Sequence, residues 1–244
     1  MYFSGKALAK FASILYVVHD LARNPGLAAA GLQKLQSAFA TFVDNQQIVP
    51  LAYDNAWGGV VSTAGLSGDA GADFGNSWYN DHHFHYGYFV YTAAVIAYLD
   101  PGWLDRGGNR AWVNMLVKDY ASPVADESFP FSRSFDWWHG HSWAKGLFES
   151  ADGKDQESTS EDGFASYAIK MWGKVIGDAN MEARGMLSVC GVEECLLTAW
   201  CRESYACGSE EELPKLLLDG ELEQYSAAEV HWEQGHWNPV REQG

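Results

Sequence analysis

Basic side chains are scarce in this chain. Sixteen Lys and Arg stand against 32 Asp and Glu over 244 residues, a formal charge of −16. So acidic a surface repels phosphate backbones and anionic lipid, which argues against nucleic acid and membranes as partners. Long apolar runs are lacking too: no stretch of about 18 apolar residues occurs, so no transmembrane helix is read. Met1 to Arg23 interleaves Lys6 and Lys10 with apolar residues and has no small-residue cleavage site, so no signal peptide is read. That leaves a cytosolic protein or one whose N-terminal leader lies outside this sequence. Cysteine is missing from residues 1–189, while Cys190, Cys195, Cys201 and Cys207 follow within 18 residues. Their spacing matches no common zinc pattern, so incidental thiols are the plainer reading. From Ser188 onward lie 12 of the 32 acidic residues, against Arg202, Lys215 and Arg241. Composition thus divides the chain into 1–185 and an acidic tail, 186–244. Strand-like alternation, internal repeats and low-complexity tracts are also wanting.

Aromatic rings are abundant, with 11 Trp, 12 Tyr and 12 Phe. Flat, amphipathic rings at that density serve well as exposed sugar-stacking surfaces. Helical spacing dominates the rest. Leu8, Phe11, Leu15 and Val18 fall on one helical face, and Asn24-Pro25-Gly26 reads as its stop. Leu32, Leu35, Phe39 and Phe42 repeat the pattern. Residues 50–80 read as a long loop, and long loops within compact domains tend to be functional. Phe84 to Leu99, Trp112 to Tyr120, and the face of Phe164, Tyr167, Ala168, Met171 and Val175 ending at Gly177 predict three further helices, with an irregular aromatic segment over 123–156. The expected class is all-α.

Three constellations carry chemistry. Asp81-His82-His83-Phe84-His85-Tyr86-Gly87-Tyr88 opens a helix after the long loop. Asp81 there is either a helix cap or an acid. The histidines do not share one helical face, so hydrogen bonding within an aromatic wall is favoured over a metal site. Glu157 and Glu161, four apart, project from one face if helical, and like charges so placed raise each other's pKa. Ser158-x-x-Glu161 is equally a capping box, so spacing alone allows a cap or a catalytic base. Asp136-Trp137-Trp138-His139-Gly140-His141-Ser142-Trp143, with Trp57, Trp78 and Tyr79, forms either a sugar-stacking surface or a buried aromatic cluster.

The strings NSWYNDHHFHYGYF, SRSFDWWHGHSWAKGL and GKDQESTSEDGFASYAIKMWG resemble, in order, motif blocks of glycoside hydrolase family 81. That resemblance covers about residues 3–185. It implies an endo-β-1,3-glucanase acting on laminarin-type and callose-type glucans. It also implies an (α/α)6 barrel, preceded in the family by a β-sandwich domain that is absent here. Catalysis in the family is inverting and metal-independent, so no cofactor is expected. The resemblance makes Asp81 the general acid and draws the base from Glu157 and Glu161, the second being the stronger candidate. Trp57, Trp78, Tyr79, His83, His85, Tyr88, Asp136, Trp137, Trp138, His139, His141 and Trp143 are the expected substrate-binding residues. The partner is a β-1,3-glucan, and the setting is extracellular or the cell wall. Twelve helices do not fit in 244 residues with these loops, so part of a barrel and a truncated product are expected. The alternative is a glucan-binding protein that keeps the cleft without the chemistry.

Overall fold

In the computed structural model, the described residues are 1–147 and 153–194. Six helices appear among them: α1 (Tyr2–Asp20), α2 (Pro25–Val43), α3 (His82–Leu99), α4 (Asn109–Ala121), α5 (Thr159–Ile176) and α6 (Ala179–Glu194). Two short antiparallel hairpins interrupt the loops: β1 (Leu51–Asp54) with β2 (Gly59–Ser62), and β3 (Phe135–Asp136) with β4 (His141–Ser142). Three 3₁₀ turns complete the set. The fold is all-α, with no sandwich or closed sheet among the described residues.

Helix α3 is the axis. Nearly every side chain from His82 to Ala97 is buried, which marks a helix surrounded on all sides. It packs on α1, α4 and α5. Where α3 meets α5, a Cβ on Gly87 would lie 2.9 Å from the Ala165 Cα, so only glycine permits this crossing. Phe39 fills the other side, with its ring edge-on to Phe89, Trp103 and Trp112 at 6.1, 5.5 and 5.5 Å. Truncating a fully buried ring such as Phe39 or Trp172 to alanine costs about 3–5 kcal/mol.

Several expectations are corrected. The buried face of α1 is Leu8, Ala12 and Leu15, while Phe11 is exposed. On α5 the face is Ala165, Ala168, Ile169 and Trp172, and Tyr167 turns outward. In both helices small alanines sit at the interface and let neighbouring helices approach; Ala168 lies on the expected face, while Ala12 and Ala165 escape a count of large side chains. Asn24-Pro25 ends nothing by itself. Asn24 caps α2, its side chain accepting from the Leu27 N–H at 3.1 Å, with Pro25 in the first turn. The loop over 50–80 contains a hairpin rather than irregular chain alone. Gly177, in the left-handed conformation (φ 75°), closes α5. Asp178 then accepts from the Met181 N–H at 2.9 Å and starts α6. That helix runs to Glu194. Cys195, Cys201, Cys207 and the rest of the tail lie outside the described residues.

Candidate active site

The backbone leading to α3 is unusual. Asp73, Phe74, Gly75, Tyr79 and Asp81 all have positive φ, at 49°, 58°, 80°, 67° and 57°. For non-glycine residues this costs on the order of 1–3 kcal/mol each, and such strain gathers at functional sites. Asp81 occupies the position before α3, yet its side chain makes no cap bond. Its N–H donates to the Ala144 carbonyl at 2.8 Å, and its carbonyl accepts from His85 N–H at 2.9 Å. One carboxyl oxygen, Oδ1, is buried with no hydrogen-bond partner among the described residues. Burial, with help from Glu157, Glu161 and Asp155, pushes this carboxyl up to about 7 against the pull of Lys145. A neutral, proton-bearing aspartic acid is therefore available near neutral pH.

Glu161 stands in the first turn of α5, and its Oε1 accepts the hydroxyl protons of Tyr2 and Tyr88, each at 2.6 Å. Lys6 Nζ lies 3.7 Å from the same oxygen. Burial works to raise this carboxyl, but the two phenol bonds and Lys6 prevail and hold it below the ordinary value. Its state at neutral pH is the carboxylate. The expectation that Glu157 and Glu161 share a helical face is overturned, and Glu161 is lowered rather than raised. Glu157 precedes the helix, with φ 62°, and its carboxylate pairs with Lys145 at 3.0 Å. Half of the capping box forms: Ser158 Oγ accepts from the Glu161 N–H at 3.4 Å. The Glu161 side chain does not complete it and goes to the tyrosines instead.

The other sequence-nominated residues separate into three groups. Tyr79, His83 and His85 are buried. The Tyr79 hydroxyl donates to Asp54 at 2.7 Å beneath the Arg133 guanidinium, and its own proton is held more tightly through burial. Burial holds His83 and His85 neutral, at about 4 and about 3, with no hydrogen bond to any ring nitrogen among the described residues. Asp136 organises the second group. It accepts from the Trp138 and His139 N–H groups, from His139 Nδ1 at 2.6 Å and from Trp143 Nε1 at 2.9 Å. Although partial burial opposes it, these donors hold the carboxyl down at about 2. The rings of His139 and His141 lie 5.3 and 4.6 Å from the Trp143 ring. The third group is exposed indole: Trp138 at 91%, Trp57 and Trp137 at 41% each. Trp137 is steadied by Phe135 and by Ser132 Oγ at 3.0 Å. Trp78 is half-buried, and its carbonyl accepts from Leu147 N–H at 2.8 Å.

Sequence reasoning missed Tyr2, Lys6 and Lys145, which reach the carboxylates from other elements. It also missed Phe74, a half-exposed ring stacked edge-on to Tyr2 at 4.9 Å. Nothing local in the sequence signals these contacts. Among the described residues, no group of three or more His, Cys, Asp or Glu is arranged to hold a metal ion.

The model of the glycosyl hydrolase family 81 C-terminal domain matches residues 1–208. A glucan endo-1,3-beta-D-glucosidase of Arthroderma benhamiae is 62% identical over 189 residues, 77% of this chain and 21% of that protein. The primary septum glucan endo-1,3-beta-D-glucosidase of Schizosaccharomyces pombe is 56% identical over 201 residues, 82% of this chain and 20% of that one. A solved structure of a Clostridium thermocellum glycoside hydrolase family 81 protein, a glutamate-to-alanine mutant, superposes with a TM-score of 0.66 at 32% identity. It covers 82% of this chain and 27% of its own. The chain thus spans about a fifth of the length of these curated relatives.

Proposed function

This chain belongs to glycoside hydrolase family 81, and from that premise we propose that it carries the acid and base of an inverting endo-β-1,3-glucanase. The observation that carries the proposal is the divergence of two carboxyls in one region. Asp81 is pushed up to about 7 and keeps its proton, while Glu161 is held down and keeps its charge. Pairs whose surroundings drive them apart are the mark of acid and base assignments. Asp81 protonates the leaving glycosidic oxygen. Glu161, with Oε1 occupied by two phenols, takes the proton of an attacking water through its other oxygen. Glu157, nearer in influence to Asp81, tunes the acid, and Lys145 restrains that tuning. Inversion requires the two carboxyls about 6.5–9.5 Å apart, leaving room for water.

The substrate is a wall-type β-1,3-glucan, in keeping with the glucanase names of the relatives and the septum named for one of them. Its setting is the cell wall or the extracellular space. Trp57, Trp137, Trp138 and Trp143 offer ring faces for pyranose stacking, with Trp78 at the edge. NMR of the first product formed from a β-1,3-glucan oligomer tests the assignment in the whole protein. The α-anomer first, lost in Asp81→Asn and in Glu161→Gln, is the expected result. The β-anomer first means retention and rules out Glu161 as a water-activating base. Tight retention on insoluble glucan with no reducing ends released would favour the binding-protein reading.

A further inference from the structure

Asp81 is held in a strained backbone conformation, and the residue that follows it does much of the holding. His82 is fully buried, and its two ring nitrogens face two acceptors. Nδ1 lies 2.5 Å from Asp119 Oδ2, and Nε2 lies 2.8 Å from the Asn76 carbonyl. The Asn76 carbonyl can only accept, so Nε2 is the donor to it, while Nδ1 engages the Asp119 carboxyl. The same Asn76 carbonyl accepts from Tyr79 N–H at 3.0 Å, so His82 closes the turn that delivers Tyr79 and Asp81.

Asp119, on α4, spends its other oxygen on the Val60 N–H of β2 at 2.7 Å. Asn76 Oδ1 accepts from Ser62 N–H of the same strand at 2.6 Å. Arg133 adds a third tie. Its Nε donates to the Asp119 carbonyl at 3.1 Å, its Nη2 to the Gly58 and Trp57 carbonyls at 2.5 and 3.1 Å, and it lies 4.2 Å over the Tyr79 ring. A Cβ on Gly59 would stand 2.7 Å from both Asp119 Oδ1 and Arg133 Nη2, so the knot leaves room for glycine alone. Left-handed residues persist where the surroundings over-determine them, and here a helix, a hairpin and a loop do so together.

We propose that the buried His82–Asp119 pair, with Arg133, is a positioning device that fixes the left-handed Tyr79–Asp81 turn and thereby keeps the Asp81 carboxyl out of water. This rests on Asp81 as the general acid. Neither His82 nor Asp119 touches the glycosidic bond in this scheme; both act through Asp81. The groups that face Asp81 electrostatically, namely Glu157, Glu161, Asp155 and Lys145, lie outside the device and are left unchanged by its removal.

Asp119→Asn keeps the volume and the Val60 bond, and His82→Gln keeps polar reach. In the whole protein each is expected to lower kcat by roughly ten- to hundredfold through misplacement, with KM changed less than about threefold. Each is also expected to move the alkaline limb of the pH–rate profile to lower pH, because a freed Asp81 reaches water. A merely structural role would lower Tm and leave that limb in place. Amide exchange in the unmutated protein supplies a readout that does not depend on the variants folding. The Val60 and Asp81 N–H groups should exchange as slowly as the core of α3. Exchange as fast as at the exposed Trp138 overturns the proposal, as do folded variants with unchanged kcat and limb. Full activity in Asp81→Asn would instead overturn the reading of the acid itself.

Discussion

Two aspartates, each in a loop that approaches the site, are tuned in opposite directions. Asp136 meets four N–H donors in the β3–β4 turn and is held at about 2. Asp81 meets buried surroundings, other carboxylates and an unpartnered oxygen, and is pushed up to about 7. One carboxylate folds a loop; the other is kept from making the bonds that would fix its charge. What separates the structural aspartate from the proposed acid here is the supply of donors, not the residue type or the distance from a helix.

The sharpest break of this contrast is Asp81→Asn, which removes the proposed proton donor and should lower turnover by about 10²–10⁴-fold in the reducing-end assay. Its effect on stability should run the other way. Between the unfolded carboxyl's ordinary value, near 4, and about 7, the folded protein binds a proton that the unfolded chain has released. Wild-type stability therefore falls with rising pH across that window, and it stays at the reduced level above it. Thermal melts should show Asp81→Asn gaining most relative to wild type at pH 7 and above, and least near pH 4. Asp136→Ala comes next. It strips the charge-assisted acceptor from Trp143, His139 and two backbone groups, each bond worth about 1.5–3 kcal/mol. Calorimetry with a glucan oligomer should show binding weakened about tenfold or more, with the shape of the pH–rate profile retained. Smaller still are the tuning variants. Lys145→Gln removes the cation that lowers Asp81 and should shift the alkaline limb to higher pH, whereas Glu157→Gln removes a carboxylate that raises it and should shift the limb lower. The smallest effect belongs to Ser158→Ala, which loses the α5 cap, costs about 1 kcal/mol in denaturant unfolding and spares turnover.

Much of this was legible in local pattern. Aromatic and small residues over 84–99 announced α3, Gly177 announced the end of α5, and the string around Asp81 announced the loop-to-helix junction. Helix faces were partly misread on α1 and α5 because Ala12 and Ala165 do much of the packing, and their size hides them from a search for large apolar side chains. The Glu157–Glu161 spacing misled for a different reason. Glu157 itself has positive φ and stands before the helix that carries Glu161, and a glutamate carries no sequence mark of that conformation. The partners that set each charge were invisible because they are remote: Tyr2 is 159 positions from Glu161, and Asp119 is 37 from His82. Tertiary contact, not spacing, decides which carboxyl keeps its proton.

That decision is open to direct reading. Carboxyl carbons labelled in aspartate and followed by NMR across pH report Asp81 and Asp136 in the same sample. Asp81 is expected to titrate near 7 and Asp136 near 2, with Asp81 falling into the ordinary range in Asp119→Asn. An Asp81 that titrates near 4 in the unmutated protein would rule it out as the proton donor.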